Sequence, residues 1–376
     1  MKIAVIGAGP AGLYFSLLAK KHDASHEIHV YEQNPRGATY GWGVVFSDVG
    51  LKFLREADPV FYEAFVAHHE RCDYMEIVHR GTRVQVHGNH FSRTARLDML
   101  NVLEEACLQA GVHITYERRI EDISQLAGQI DMVVAADGSN SAVRKQYADH
   151  FQPSFERRRN KFAWYGTRQR FHPVSLIFRQ TEHGIFIAHS YQYSAELSTF
   201  LVEVEPDTWR RAGLDTASDE ESRRYCGEVF RPDLGAHELL GNRSLWFEAN
   251  IVRNENWSHR NIVLLGDALR TVHFSLGSGT RMAMQDAIAL QEGLKQHPRD
   301  ARAAFSVFES LRRQPSTSFQ TAAARSLDWY ENVADKMDLD PVSFAYDYMR
   351  RTGQVSHEDL RQRDPAFTAA YEARTR

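Results

Sequence analysis

The sequence predicts an α/β protein in which a mainly parallel sheet is interleaved with a separate antiparallel sheet and followed by helices. Three observations predict this fold class. Apolar strands that end in glycine or aspartate occur near the start of the chain, near residue 135 and near residue 265. Between the last two, residues 162–204 hold short segments rich in β-branched and aromatic residues, as antiparallel strands do. After about residue 290 the apolar residues recur at helical spacing.

The composition is typical of a globular protein of about two domains. The 376 residues are 43% hydrophobic and 25% charged, with a net charge of −4. This near-neutral balance gives no electrostatic reason to bind nucleic acid or an anionic membrane. Three scattered cysteines without a CxxC pair exclude a disulfide scaffold and a cysteine-rich zinc site, and we predict no metal site.

Residues 3–19 are apolar enough to resemble a signal peptide or a membrane anchor. Three glycines and a proline interrupt the run, and no cleavage-type ending follows it. No other stretch approaches the roughly 18–20 uninterrupted apolar residues of a membrane span. We therefore expect a cytoplasmic protein with no membrane partner.

The first element is a strand over residues 2–6 that leads directly into a glycine-rich loop and a helix. Gly7 permits the tight turn, and Gly9 allows a pyrophosphate to approach the backbone. Ala11 and Gly12 follow in the same loop, and Gly12 allows the helix to pack closely on the strand. The helix N-terminus then attracts the phosphate charge.

A second strand over residues 27–31 ends at Glu32. This carboxylate follows Gly12 by the spacing at which it can accept hydrogen bonds from ribose hydroxyls. A glycine motif alone would be weak, since it also occurs in ordinary turns. Because strand, loop, helix, strand and acid occur in this order, the segment predicts a Rossmann-like dinucleotide site.

Two later strands end in turn residues that also occur at nucleotide sites. The strand at residues 131–136 leads into Asp137 and Gly138, with Arg144 after them. The strand at residues 261–265 leads into a second group, which continues into a predicted helix. That group is Gly266, Asp267, Gly277 and Gly279. Either junction alone could be an ordinary strand-to-turn connection.

Together the three motifs resemble the single-component FAD-dependent aromatic hydroxylases, the p-hydroxybenzoate hydroxylase class. The resemblance implies that the first motif holds the ADP half of FAD, and that the Asp-Gly motif serves both FAD and NADH or NADPH. It implies that Asp267 binds ribityl or ribose hydroxyls and that Arg96 lies near the FAD phosphates. It further implies that the ring is hydroxylated with O₂ through a flavin C4a-hydroperoxide.

Shorter segments resemble one subgroup, the hydroxylases of salicylyl-CoA and 2-aminobenzoyl-CoA. The similar segments are residues 41–48, 181–184, 273–279 and 328–332. Residues 41–45, 164–167 and 273–275 are also similar to the tryptophan hydroxylase of violacein biosynthesis. The subgroup is thus indicated, whereas the substrate is left open.

The motif order requires interleaved domains, because nucleotide-binding elements bracket the strand-rich middle. We predict a Rossmann-like FAD-binding domain over residues 1–72, 94–156 and 256–330. An antiparallel-sheet substrate domain occupies residues 73–93 and 157–255, with a hairpin that turns at Arg80 and Gly81. A C-terminal helical tail takes residues 331–376.

His273 is the first candidate for catalysis, because the loop that follows the Gly-Asp strand lies beside the isoalloxazine ring in related folds. His189 and Tyr191 lie on a predicted strand and are candidate substrate contacts. Further candidates, which are equally compatible with core or pocket wall, are Trp164, Tyr165 and Phe274.

Two features leave alternatives open. Arg270 stands where the family usually has histidine, and it predicts either a different substrate charge or a solvated side chain. The basic run at residues 157–161 offers cations for coenzyme A phosphates. A solvated domain junction explains that run equally simply, and we favour this interpretation.

Three functions fit the sequence. The first is hydroxylation of an activated benzoate such as salicylyl-CoA or 2-aminobenzoyl-CoA, with O₂ and NAD(P)H. The second is hydroxylation of a free aromatic such as tryptophan or indole. The third is a flavin-binding redox sensor without turnover. A halogenase lacks support because no Trp-x-Trp-x-Ile-Pro run is present, and a dehydrogenase would leave the two later motifs unexplained. The oligomeric state is not predicted.

Overall fold

The structure is a computed structural model that describes residues 1–39, 41–47, 51–273 and 276–375. The described strands are β1 (Lys2–Ile6), β2 (Glu27–Tyr31), β3 (Gly43–Ser47), β4 (Glu70–His79), β5 (Thr82–Ala95), β6 (His113–Thr115), β7 (Met132–Ala135), β8 (Pro153–Thr167), β9 (Val174–Gln180), β10 (Ile185–Gln192), β11 (Ser198–Val204), β12 (Leu239–Leu240), β13 (Phe247–Asn254), β14 (Ser258–His259) and β15 (Ile262–Leu264).

The described α-helices are α1 (Pro10–His22), α2 (Lys52–Ala57), α3 (Pro59–Val66), α4 (Arg96–Gln109), α5 (Ser124–Ala127), α6 (Ala142–Gln146), α7 (Ala148–Phe151), α8 (Pro206–Arg211), α9 (Asp219–Val229), α10 (Arg231–Leu234), α11 (Gly279–Gln296), α12 (Ala301–Glu331), α13 (Pro341–Arg350), α14 (His357–Arg363) and α15 (Pro365–Thr375). None of them has both the length and the hydropathy that a membrane span requires.

The smaller sheet has the strand order β14-β15-β7-β1-β2-β6. Its strands are parallel except at the β14–β15 edge. The central strands β1 and β7 are almost wholly buried, as expected for continuous apolar runs covered on both faces. Helices α1, α4 and α11 contribute to the same core, and α1 packs against α11. The carboxyl ends of β1, β7 and β15 therefore lie side by side at one edge.

The larger sheet has the order β12-β8-β11-β10-β9-β4-β5-β3, and β13 also pairs with β8. The predicted hairpin is confirmed, with β4 and β5 joined at Arg80 and Gly81. The strand pairs of the larger sheet are antiparallel except for β4 and β9, which run parallel. The mixed α/β fold class is confirmed. The domain boundaries remain a prediction, and β3, from the predicted first segment, pairs with this larger sheet.

The larger sheet is covered on both faces. Helices α8 to α10 cover one face, where Phe186 and Phe200 pack against Phe230. The C-terminal helices cover the other, where Phe178 packs against Trp329 and Phe344. The last two helices bury Leu360 and Phe367 in the same cluster. The helical tail is thus part of the core beneath this sheet.

Candidate active site

The glycine-rich loop after β1 is shaped by two close approaches. Gly7 has a φ of +105°, and a Cβ added there would lie 2.3 Å from the Ala136 carbonyl oxygen. A Cβ on Gly12 would lie 2.2 Å from the Gly7 oxygen. Gly9 differs, because a Cβ there would meet no described atom within 4 Å. The loop therefore packs tightly on the protein at Gly7 and Gly12 and leaves open space at Gly9, the N-cap of α1.

Glu32 lies where the sequence predicts, directly after β2. Its Oε2 accepts a hydrogen bond of 2.9 Å from the Ala8 backbone N–H. Its Oε1 accepts two from Asn34, one from the backbone and one from the amide side chain. The carboxylate thus joins the end of β2 to the glycine loop.

Asp137 and Gly138 form the turn after β7. Asp137 Oδ2 accepts hydrogen bonds from the Ala142 and Val143 backbone N–H groups at 2.7 and 3.2 Å. Its Oδ1 is buried without a hydrogen-bond partner among the described residues. Desolvation raises the pKa of this carboxyl, although hydrogen bonds from Ser141 and the backbone oppose the shift. Gly138 has a φ of +79°, which favours glycine.

Arg144 joins the second motif to the third. Its guanidinium is 1% exposed and donates a 2.8 Å hydrogen bond to the Ala268 carbonyl oxygen and another to Ser139. Desolvation lowers its pKa, while the Asp137 charge opposes this. The structure therefore places Arg144 behind the two turns, where its buried side chain connects them.

Gly266 lies where the first turns of α1 and α11 meet. Its φ is +60°, and a Cβ there would come within 2.9 Å of the Ala11 Cβ and 3.4 Å of the Ala283 Cβ. A side chain at position 266 would push the two helices apart. Ala11 therefore lies on the same contact, and the two helix N-termini with their positive dipole ends come close together.

The loop before α11 packs against β3. A Cβ on Gly277, whose φ is +58°, would lie 3.1 Å from the Val45 side chain. Gly279 is the first residue of α11, and a Cβ there would meet no described atom within 4 Å. The N-terminus of α11, like that of α1, therefore borders open space.

Arg96 lies close enough to Asp267 and Tyr191 for their charges to affect its pKa. Desolvation raises the pKa of Asp267, and the charges of Arg96 and Arg270 oppose the shift, yet the residue is exposed to solvent. Desolvation likewise lowers the pKa of the half-buried Arg96, whose guanidinium has no hydrogen bond or ion pair among the described residues. These side chains border a region that solvent reaches, which we call the cleft.

Two tryptophans border this region from the larger sheet. The Trp42 indole donates a 3.2 Å hydrogen bond to the Trp164 carbonyl oxygen, and a Cβ on Gly166 would lie 2.6 Å from the Trp42 ring. The Tyr191 hydroxyl donates a 2.8 Å bond to the Gly43 carbonyl oxygen. The glycines of the segment at residues 41–45 thus allow it to lie flat on the sheet.

His273 is 2% exposed, and its ring lies 5.3 Å from that of Phe162. Desolvation lowers the pKa of His273 to about 3, and the nearby charges of His189 and Arg158 add to the effect. The imidazole is therefore neutral at physiological pH.

His189 has a partner that the sequence prediction missed. Its Nε2 lies 2.9 Å from Glu203 Oε2, and Glu203 is 0% exposed. Glu203 Oε1 accepts a 2.7 Å hydrogen bond from the Asn160 amide. The ring of Tyr330, at the end of α12, lies 5.1 Å from the His189 ring. The only sequence signal for Glu203 is one acid inside an otherwise apolar strand.

One substrate candidate, Tyr165, is not brought to this region. Tyr165 is 0% exposed and packs with Cys226 and Phe230 beneath α9. Because adjacent residues of a strand point to opposite faces, Tyr165 lies on the far side of the sheet from Trp164. We therefore remove Tyr165 from the site. Phe274 lies outside the described residues.

Arg270 is not a solvated side chain, although its charge acts on Asp267. It is 6% exposed and donates a 2.8 Å hydrogen bond to Asp286, which Arg312 also contacts at 2.8 Å. Its guanidinium also lies over the Trp257 ring at 5.3 Å. The solvated-side-chain alternative for Arg270 was therefore wrong, because its counter-ion lies on α11, whereas the substrate-charge alternative stays a prediction.

The basic run at residues 157–161 is largely paired. Arg158 forms ion pairs with Asp328 at 2.5 Å and with Glu331 at 2.9 Å. Arg159 also contacts Glu331, and Lys161 pairs with Glu248. These contacts tie β8 to the end of α12 and to β13, as the domain-junction interpretation expects.

The comparison with protein families is decisive for classification. The model of the family described as FAD binding domain matches residues 1–306. The chain belongs to this FAD-binding family. The flavoprotein is 38% identical over 377 residues to salicyloyl-CoA 5-hydroxylase of Streptomyces sp, covering 98% of this chain and 72% of the relative.

Two further relatives match over nearly their full length. The flavoprotein is 31% identical to 3-hydroxy-4-methyl-anthranilyl-[aryl-carrier protein] 5-monooxygenase of Streptosporangium sibiricum, with 96% and 97% of the two chains covered. It is 33% identical to protodeoxyviolaceinate monooxygenase of Chromobacterium violaceum, with 96% and 98% covered.

Solved structures show the same fold. The tetrameric form of 2-methyl-3-hydroxypyridine-5-carboxylic acid oxygenase matches with a TM-score of 0.73 at 15% identity, covering 96% of this chain and 97% of that one. The family match and the hydroxylase and monooxygenase relatives identify the flavoprotein as an FAD-dependent aromatic monooxygenase, and the predicted cofactor and enzyme class are confirmed. The redox-sensor alternative is not supported, since the similar proteins are named as enzymes.

Proposed function

We propose that this flavoprotein hydroxylates an aryl thioester that carries a hydroxyl or amino group ortho to the thioester carbonyl, with NAD(P)H and O₂ as co-substrates. The observation that carries the proposal is the similarity to two relatives whose names specify such acyl groups, salicyloyl-CoA and an anthranilyl-carrier conjugate. Both names place the new oxygen at position 5, which is para to the hydroxyl or amino group at position 2.

The chain's residues fit FAD. The open space at Gly9 and Gly279 lies at two helix N-termini, where a pyrophosphate is favoured. In this assignment Glu32 accepts from ribose hydroxyls and Asp267 from ribityl hydroxyls, while Arg96 supplies the positive charge that its lack of a described partner leaves available. The unpartnered Asp137 Oδ1 supports a further acceptor position on this side of the cleft.

Bound FAD supplies electron transfer from NAD(P)H and the activation of O₂, which is the difficult part of the reaction. The protein's task is to hold the ring, exclude water and control the ionisation of its substituent. Trp42, Trp164 and Tyr191 provide the apolar wall and the hydroxyl beside the cleft. His273 stays neutral, so it can accept or donate a hydrogen bond without adding charge.

A second candidate substrate is a free aromatic such as tryptophan or indole. The relative named protodeoxyviolaceinate monooxygenase, at 33% identity over nearly both chains, favours this alternative. The paired basic run at residues 157–161 also offers little free charge for coenzyme A phosphates.

The test is substrate-stimulated NADH or NADPH oxidation by the holoenzyme with salicyloyl-CoA, 2-aminobenzoyl-CoA, the free acids and indole derivatives. We expect the thioesters to stimulate oxidation and to yield a product one oxygen atom heavier, hydroxylated para to the donor. Oxygenation of the indoles alone would replace the thioester proposal with the second candidate. No oxygenated product from any compound would overturn both.

A further inference from the structure

We propose that Glu203 and His189 form a proton-accepting pair that binds the hydroxyl or amino substituent of the substrate ring and so selects rings bearing such a donor. The inference rests on the proposed function, because it gives these two residues a role toward that substituent. In it His189 contacts the substrate and Glu203 is a positioning residue.

The pair is built around a buried carboxylate. Glu203 is 0% exposed in the middle of the larger sheet, where a charge is costly unless it is hydrogen-bonded. Asn160 donates to Oε1 at 2.7 Å, and His189 Nε2 lies 2.9 Å from Oε2. We assign the His189 proton to Nε2 in this contact, because an ionised carboxylate only accepts hydrogen bonds.

The second nitrogen of the imidazole is then an acceptor. With the proton on Nε2, His189 Nδ1 carries a lone pair. No hydrogen bond from a described residue reaches Nδ1, and the side chain is 14% exposed. A buried carboxylate thus orients an imidazole whose second nitrogen is available as an acceptor.

The surroundings leave His189 as the base. Leu176 and Leu201 flank it on the neighbouring strands β9 and β11. Tyr330 faces it from α12, and Tyr191 follows two residues later on the same face of β10. His273 lies near enough for His189 to depress its pKa, which burial already lowers to about 3. Of these groups, His189 is the one bonded to a buried carboxylate.

The step is a proton transfer that needs no co-reactant. The O–H bond of a ring hydroxyl breaks, the proton passes to His189 Nδ1, and the electron pair stays on the ring oxygen. Glu203 balances the positive charge of the imidazolium. The ring carbon para to the oxygen becomes richer in electrons and therefore more reactive toward an electrophilic oxygen. An amino substituent donates a hydrogen bond to Nδ1 without transfer.

The test uses the FAD-loaded enzyme with salicyloyl-CoA and its methyl ether, 2-methoxybenzoyl-CoA, which cannot donate a hydrogen bond. We expect wild type to bind salicyloyl-CoA about tenfold more tightly than the ether. Glu203→Gln and His189→Gln should largely abolish this ratio while retaining FAD. Glu248→Gln, the same chemical change on the same sheet in a surface ion pair with Lys161, should keep it.

Two further readouts separate the pair from a merely structural role. The ultraviolet difference spectrum of bound salicyloyl-CoA should show phenolate in wild type, and phenol in both variants at the same pH. The acidic limb of the kcat/KM pH profile should move in Glu203→Gln. If Glu203→Gln fails to fold, the affinity ratio and the spectrum of His189→Gln alone test the proposal.

The outcomes are distinct. Suppose that wild type hydroxylates the thioester, but both variants keep the affinity ratio of salicyloyl-CoA to its methyl ether, the phenolate spectrum and the wild-type pH profile. The proposed role of Glu203 and His189 is then overturned, and the proposed function stands. If wild type hydroxylates no donor-bearing aromatic of the panel, both proposals are overturned.

Discussion

The Arg144 guanidinium donates a hydrogen bond of 2.8 Å to the Ala268 carbonyl oxygen, which joins the turn after β7 to the turn after β15. The same buried group also bonds to Ser139 beside the Asp-Gly turn. Two motifs that are far apart in the sequence are therefore held at one spacing by a single side chain.

Replacing Arg144 with methionine should lower the free energy of unfolding by about 3 kcal/mol, because hydrogen bonds from a charged, buried group are lost. The Ser139 carbonyl oxygen loses its donor, and Ala268 keeps only the longer bond from Asn254. The affinity for FAD should fall with it, as the two turns separate. Urea unfolding and fluorescence titration with FAD measure both quantities. Lys145→Met removes a neighbouring exposed cation and serves as the control. Equal losses of stability and FAD affinity in the two variants would show that Arg144 does not connect the two turns.

Two glycines of the first loop should respond differently to alanine. Gly12→Ala should destabilise the flavin-free protein by at least about 2 kcal/mol, because its Cβ would overlap the Gly7 oxygen. Gly9→Ala should change that stability by less than about 0.5 kcal/mol. Its methyl group would instead occupy the open space assigned to the pyrophosphate, so FAD affinity should drop. An unchanged FAD affinity in Gly9→Ala would remove the pyrophosphate from this position.

Replacing Asp286 should destabilise the protein more than replacing either arginine that it pairs with. Asp286→Asn leaves both Arg270 and Arg312 without their counter-ion, and such a loss costs about 3–5 kcal/mol. Arg270→Gln leaves the Asp286–Arg312 pair intact and should cost clearly less. Urea unfolding of the two variants tests the order, and a larger loss in Arg270→Gln would contradict it.

His273 should make the protein sensitive to acid. Its folded pKa of about 3 lies below the ordinary value of 6.5, so the unfolded chain takes up the proton first. Stability is therefore complete above pH 6.5 and is lost as the pH falls toward 3. Between pH 7 and pH 5, wild type should lose about 2 kcal/mol more than His273→Gln.

Urea unfolding at the two pH values gives this difference for His273→Gln. The exposed His68→Gln serves as its control and should behave as wild type does. Identical pH dependence in wild type and His273→Gln would show that His273 is not desolvated in the folded protein.

The nucleotide-binding side of the fold was largely predictable because backbone geometry restricts its residue types. A turn with positive φ that touches the Ala136 backbone requires glycine at position 7, and this restriction is visible in a single sequence. The hairpin turn was visible for a similar reason at Gly81, whose φ is +75°, whereas the sequence does not show the positive φ of Arg80.

The substrate side was less predictable because its strands are apolar on both faces. Trp164 and Tyr165 are adjacent and aromatic, so the pattern does not show which of them faces the cleft. Glu203 was missed because its partners Asn160 and His189 come from other strands. Arg270 was misjudged because its partner Asp286 lies a full loop and half a helix away. Such pairings depend on the tertiary fold.

The order of strands in the smaller sheet also determines when the sheet can be completed during synthesis. Strand β7 pairs with β1 on one side, but its other neighbour, β15, ends at Leu264. Until that residue leaves the ribosome, β7 has an open edge, and open strand edges promote aggregation. Contacts so distant in sequence also slow folding. We therefore expect the nascent chain to depend on chaperones until Leu264 has emerged and β15 can pair with β7.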